Sequence, residues 1–148
     1  KVVMKNGQAL SCFFEEVRQA TSRAEVYADL KPYAARLLQA LSELQEVTLH
    51  LTTLAARGVD LFLADATVYL EYFSIFTVAW QWLLQAEAVC RARDGRISGA
   101  DVNFYEGKWY AFKYFFHYEL PKLKGLAARL TDEEPLTLET RAEYFTDI

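Results

Sequence analysis

The chain has 148 residues, 53% of them apolar or aromatic and 24% charged, enough for one domain-sized core but not two. That balance is too apolar for intrinsic disorder and too charged for a membrane protein. Sixteen Lys and Arg against twenty Asp and Glu give a net charge of −4, which speaks against a nucleic-acid backbone as partner, and six Gly with three Pro are few for an all-β fold.

After a short lead-in over residues 1–6, a first helix is predicted from Gly7 to about Ser22, with Leu10, Phe13, Phe14 and Val17 on one face. The second carries Leu30, Ala34, Leu37, Leu41, Leu44, Thr48, Leu51 and Ala55 at steps alternating four and three, a heptad-type seam. Pro32 suits its first turn, and Gly58 its C-terminal end as a left-handed residue. The third pattern runs from about Asp60 to Arg93 and is apolar on two faces. Ala66, Tyr69, Phe73, Phe76, Trp80 and Leu83 form one; Val68, Tyr72, Ile75, Ala79, Trp82 and Ala86 form the other. The leftover stripe of Thr67, Glu71, Ser74, Gln81 and Gln85 is narrow, so this helix is predicted to be central. Its uncharged run, Tyr72 to Ala86, falls short of the roughly 20 apolar residues a bilayer span requires.

The fourth helix is predicted to start near Asp101 or Asn103, with Tyr105, Trp109, Phe112, Phe116, Leu120, Leu123, Ala127 and Leu130 on one face. Pro121 inside this pattern predicts a kink or break. Residues 131–135 read as a loop, and one weak helical turn is expected around 139–145. The expected architecture is all-α: an antiparallel up-and-down four-helix bundle, neighbours about 20° apart, with a kinked fourth helix. It forms a single domain, with the lead-in at 1–6, the bundle at 7–130 and a tail at 131–148.

Chemistry-bearing motifs are sparse. The residues three before His50 and His117 are Val47 and Tyr114, so no Glu-x-x-His pair exists, and both histidines read as structural. There is no GxSxG elbow, and Gly95 with Gly99 makes no phosphate-binding fingerprint. Arg91, Arg93 and Arg96 are expected to cap a helix end, with an anion site as the other reading, and Glu71 is expected to be solvated or paired rather than buried. Cys12 and Cys90 form no CxxC and read as buried thiols in a reducing compartment. No basic stretch followed by an apolar run and a small-residue cleavage site opens the given sequence, so secretion is not expected, and Lys1 in place of Met is expected to mark a processed product or a piece of something longer.

The exceptional feature is aromatic density on the fourth helix: Phe104, Tyr105, Trp109, Tyr110, Phe112, Tyr114, Phe115, Phe116 and Tyr118. They point all round it. Either neighbouring helices surround this one, or another chain or domain covers part of it.

Asn103-Phe104-Tyr105-Glu106-Gly107-Lys108 continues through Ala111, Lys113, Tyr114 and Phe115 to Leu120-Pro121. Earlier, Ala66, Tyr69, Leu70 and Phe73 lead to Ala79-Trp80-Gln81-Trp82-Leu83 and Gln85-Ala86. In order and spacing these resemble the helical C-terminal domain of acyl-CoA dehydrogenase-like flavoenzymes, in the branch with an extra helical module after the dehydrogenase core. The likeness runs from about Asn6-Gly7, similar to the junction after that core, to Leu130; Tyr110 and Phe112 are bulkier than the family's usual residues.

The resemblance implies a parent that uses FAD to oxidise an acyl-CoA to an enoyl-CoA, with a glutamate base. In the family the flavin site and the base lie upstream of this module. The resemblance therefore assigns this chain no catalytic, cofactor-binding or metal-binding residue, and FAD is expected only in the parent. The expected role is structural: padding the dehydrogenase core and extending contacts to a homo-oligomer mate, in the cytoplasm, with acyl-CoA reached only through the parent. Packing or interface roles fall to Trp80, Trp82, Phe104, Tyr105, Lys108, Trp109, Phe112, Phe115 and Phe116. Two other readings stay open, a free-standing interaction bundle that docks through its fourth helix and an acyl-chain-binding bundle.

Overall fold

The computed structural model describes residues 7–95 and 97–146; the lead-in 1–6, Arg96 and the last two residues lie outside the described residues. Those described are all-helical, with no strand among them.

α1 (Gln8–Ala24) opens on Gly7, whose φ of 72° is left-handed and suits glycine. Phe14, Val17, Ala20, Thr21 and Ala24 are buried at steps of three and four, so one face is covered. Cys12 falls on the other side and is exposed, a correction to its expected burial; Cys90 is buried, and both are free thiols.

α2 (Lys31–Arg57) has Pro32 in its first turn, where the missing N–H costs nothing. Seven of the eight seam positions, from Leu30 to Leu51, are buried, and Ala55 is half-buried. Gly58 ends the helix by donating to the Leu54 carbonyl at 3.0 Å, but its φ of 170° is extended rather than left-handed. The same residue leads directly into α3 (Val59–Ala64), which packs on α2.

The predicted third helix is therefore interrupted. Asp65 separates α3 from α4 (Ala66–Asp94), with φ −109° and ψ 23° outside helical values. Its carboxylate is held by the Arg129 guanidinium at 2.8 Å. α4 packs against α1 and α2, and also against α5 (Val102–Tyr114) and α6 (Leu123–Thr131). Tyr72, Phe76, Ala79, Leu83 and Ala86 are buried along α4, while Thr67, Glu71, Ser74 and Gln81 of the leftover stripe are exposed. Glu71 is thus solvated. Among the described residues no helix is long and apolar enough to cross a membrane.

Between α5 and α6 the helix changes pitch. Phe115–Glu119 is π-helical and Leu120–Lys122 is a 3₁₀ turn. Leu120 N–H donates to the Phe115 carbonyl, five residues back. The next donor in that register, for the Phe116 carbonyl, would come from Pro121, which has no N–H. Arg36 of α2 supplies it instead: its guanidinium donates to the Phe116 carbonyl and lies 5.9 Å from that residue's ring centre. Phe112, Phe116, Leu120, Leu123 and Leu130 are buried across the interruption, so the change of pitch does not break the apolar face.

After α6, α7 (Leu136–Glu139) packs on α3, and a 3₁₀ turn covers Ala142–Phe145. Arg57 and Glu133 pair at 2.6 Å, which ties the start of this tail to the end of α2.

One contiguous hydrophobic cluster joins α1, α2, α4, α5 and α6. Burying each Phe-sized side chain in it contributes roughly 1.5 to 3 kcal/mol before conformational entropy is charged against it.

Candidate functional site

The aromatic residues of α4 and α5 divide into an inner set and an outer set. Phe112 and Phe116 are fully buried, with ring centres 4.9 Å apart, and Tyr33 of α2 lies 4.6 Å from Phe112. Trp80, half-buried, meets the Phe13 ring edge-on at 5.4 Å; its indole N–H is buried without a partner among the described residues. Phe115 is half-buried and packs on the same cluster.

Towards the α4 C-terminus the polar groups are consumed in pairs. The Lys108 ammonium donates to Gln85 Oε1 at 2.9 Å and lies 5.6 Å from the Trp82 ring centre and 5.8 Å from that of Phe104. The Arg93 guanidinium pairs with Glu106 at 2.5 Å and covers the Trp109 ring at 4.8 Å. Glu87, buried, is held by Arg91 at 3.1 Å and Arg23 at 3.6 Å. Arg91 and Arg93 thus serve carboxylates of their own chain, and Arg96 lies outside the described residues. The structure brings Trp82, Phe104 and Lys108 together, Tyr105 touches Phe104 edge-on at 5.4 Å, and Trp109 joins through Phe112 at 5.4 Å.

The outer set runs along α5 and the π-helical turn. Tyr110, Tyr114 and Tyr118 follow one another at steps of four and are exposed, Tyr110 at 64%. The Tyr114 and Tyr118 rings stack at 4.6 Å with planes 11° apart, and the Lys113 ammonium lies 5.4 Å from the Tyr110 ring centre. Together with Ala111 and His117 they line an open groove of about 480 Å³. Sequence placed these tyrosines within the aromatic set of the fourth helix but did not assign them packing or interface roles, and their four-residue spacing is shared by the buried Phe112 and Phe116.

Elsewhere the buried hydroxyls belong to packing. The Thr48 hydroxyl donates to the Leu44 carbonyl at 2.7 Å and accepts from Tyr69 at 2.8 Å. Burial pushes the Tyr69 and Tyr72 phenols above their ordinary value, Tyr72 further still because Glu43 and Glu46 oppose a second negative charge. The exposed His117 ring stands 3.5 Å from the Tyr33 hydroxyl, and the His50 Nε2 is buried without a partner among the described residues. No three His, Cys, Asp or Glu side chains among the described residues stand close enough to hold a metal ion.

Comparison with curated proteins finds no match. A family model described as acetyl-CoA dehydrogenase C-terminal like matches residues 13–141, from the Phe13 that meets Trp80 to the Arg141 that follows α7. Spanning α2 to α7 whole and most of α1, that match places the chain in the acetyl-CoA dehydrogenase C-terminal-like family.

Proposed function

We propose that this chain is a structural and subunit-contact module of an acyl-CoA dehydrogenase-like, FAD-dependent oxidoreductase whose whole protein oxidises acyl-CoA to enoyl-CoA. The observation that carries the reading is the family match over residues 13–141. The pairing pattern supports it. Arg93 with Glu106, Arg91 with Glu87 and Arg129 with Asp65 are paired within the chain, as a bracing element requires, while the open aromatic surface of α5 offers area for contact. In this reading the flavin and the base belong to the rest of the parent, and partners are that core and its oligomer mate. The helices α1, α2, α4 and the α5–α6 pair run up and down as antiparallel neighbours, supported by the contacts of α1 with α2 and of α4 with both α5 and α6. A cytoplasmic setting belongs to the same reading, with Cys12 and Cys90 both held as free thiols.

The test is a titration of the purified chain with FAD, followed by flavin fluorescence and absorbance. The expected result is a flavin spectrum identical to that of free FAD throughout. Saturable binding at micromolar FAD would overturn the assignment of the flavin site to the rest of the parent.

A further inference from the structure

We propose that the tyrosine groove of α5 receives the acidic, apolar tail segment Leu136–Phe145 of a second copy of this chain. The groove is lined by one lysine, Lys113, and by no carboxylate, within a protein of net charge −4. Residues 102–131 carry five Lys and Arg against two Glu, and both of those Glu are already paired, Glu106 with Arg93 and Glu119 with Lys122. Among the described residues Lys113, beside Tyr110 in the groove, has no carboxylate within ion-pair distance. Exposed, uncovered aromatic rings flanked by unpaired positive charge fit a segment that is apolar and acidic.

The tail has that chemistry. Leu136–Phe145 carries two Glu against one Arg, and no cation among the described residues lies within ion-pair distance of Glu139 or Glu143. Leu136, Leu138, Tyr144 and Phe145 are all exposed along it. Its own groove is not its seat. α7 packs on α3, and the preceding residues are tied down by the Arg57–Glu133 pair at 2.6 Å, so its apolar side chains are displayed while its own α5 stays open. The matching surface is therefore on another copy. Reciprocal docking, each tail in the other copy's groove, closes an isologous two-fold dimer, whereas one-way docking is heterologous and forms a ring or propagates head to tail.

This deepens the subunit-contact part of the reading above and rests on it only there. A chain that stays monomeric overturns the docking, whereas flavin binding bears on the dehydrogenase-module reading instead.

The experiment is sedimentation velocity of the full chain over a range of concentrations at low and high salt. Concentration-dependent association that weakens with salt is expected. Lys113→Glu and the pair Glu139→Lys with Glu143→Lys should each weaken it by about tenfold or more, and mixing the two variants should restore it, since one then keeps an intact tail and the other an intact groove. Tyr114→Ala, which changes no charge, should weaken it as well, with circular dichroism reporting that each variant remains helical. A chain monomeric at every concentration, association indifferent to the charge reversals and to Tyr114→Ala, or a mixture no better than its components would each overturn the proposal.

Discussion

The Arg36 guanidinium donates to the main-chain carbonyl of Phe116, at the point where the π-helical register calls for an N–H and Pro121 has none. A side chain from α2 thus completes the backbone of the α5–α6 segment. Arg36→Ala is expected to cost about 1 to 3 kcal/mol in urea unfolding, because it leaves a carbonyl without a donor. Pro121→Ala restores an N–H at the missing place. In that background the loss from Arg36→Ala should shrink, and an equal loss in both backgrounds would sever the two residues.

Phe112 and Tyr110 lie two residues apart on α5 with opposite surroundings. Phe112 is fully buried between Tyr33 and Phe116, and Tyr110 is largely exposed. Phe112→Ala should destabilise by roughly 3 to 5 kcal/mol, whereas Tyr110→Ala should stay within about 0.5 kcal/mol. Comparable losses at the two sites would mean that the inner and outer sets are not separated as described.

The burial of Tyr72, with the half-buried Tyr69 beside it, makes stability fall in alkali. Both phenols are held above the ordinary tyrosine value of 10.0 in the fold, Tyr72 furthest. Above pH 10 the unfolded chain releases their protons before the native chain does, so it binds fewer and unfolding becomes easier as pH rises. Spectrophotometric titration of the native protein should show two tyrosines ionising late. Tyr72→Phe should flatten the decline of stability above pH 10, and an unchanged slope would speak against this account.

The two thiols should react at different rates. Cys12 is exposed, and Cys90 is buried with its thiol pushed up by that burial. A disulfide reagent added to the native chain should modify one thiol promptly and the second only in denaturant. Two prompt equivalents would contradict the placement of Cys90 on the inner side of α4.

Much of the fold is legible in the sequence wherever one period dominates. The alternating four-and-three steps of α2 name its buried seam from Leu30 to Leu51, and Pro32 marks its first turn. Cys12 sits in an apolar stretch of sequence, which suggests burial, but it falls off the line of Phe14, Val17 and Ala24 and is exposed. The interruption at Asp65 was hidden because apolar residues continue through Leu61 and Phe62 with no Gly or Pro at the break, and the partner that holds Asp65, Arg129, lies 64 residues on. Pro121 announces a disturbance but not its form. The π-helical turn precedes it and depends on Arg36, a contact across 80 residues. On α5, aromatic residues on every side leave no polar face to orient the helix, so sequence alone could not separate the covered Phe112 and Phe116 from the open Tyr110, Tyr114 and Tyr118.

The central claim, a bracing module rather than a self-sufficient dehydrogenase, is tested most directly by turnover. The purified chain is given FAD, an acyl-CoA in excess and an artificial electron acceptor, and acceptor reduction is followed. The account predicts a rate equal to the blank without protein; enoyl-CoA formed in proportion to the chain added would contradict it.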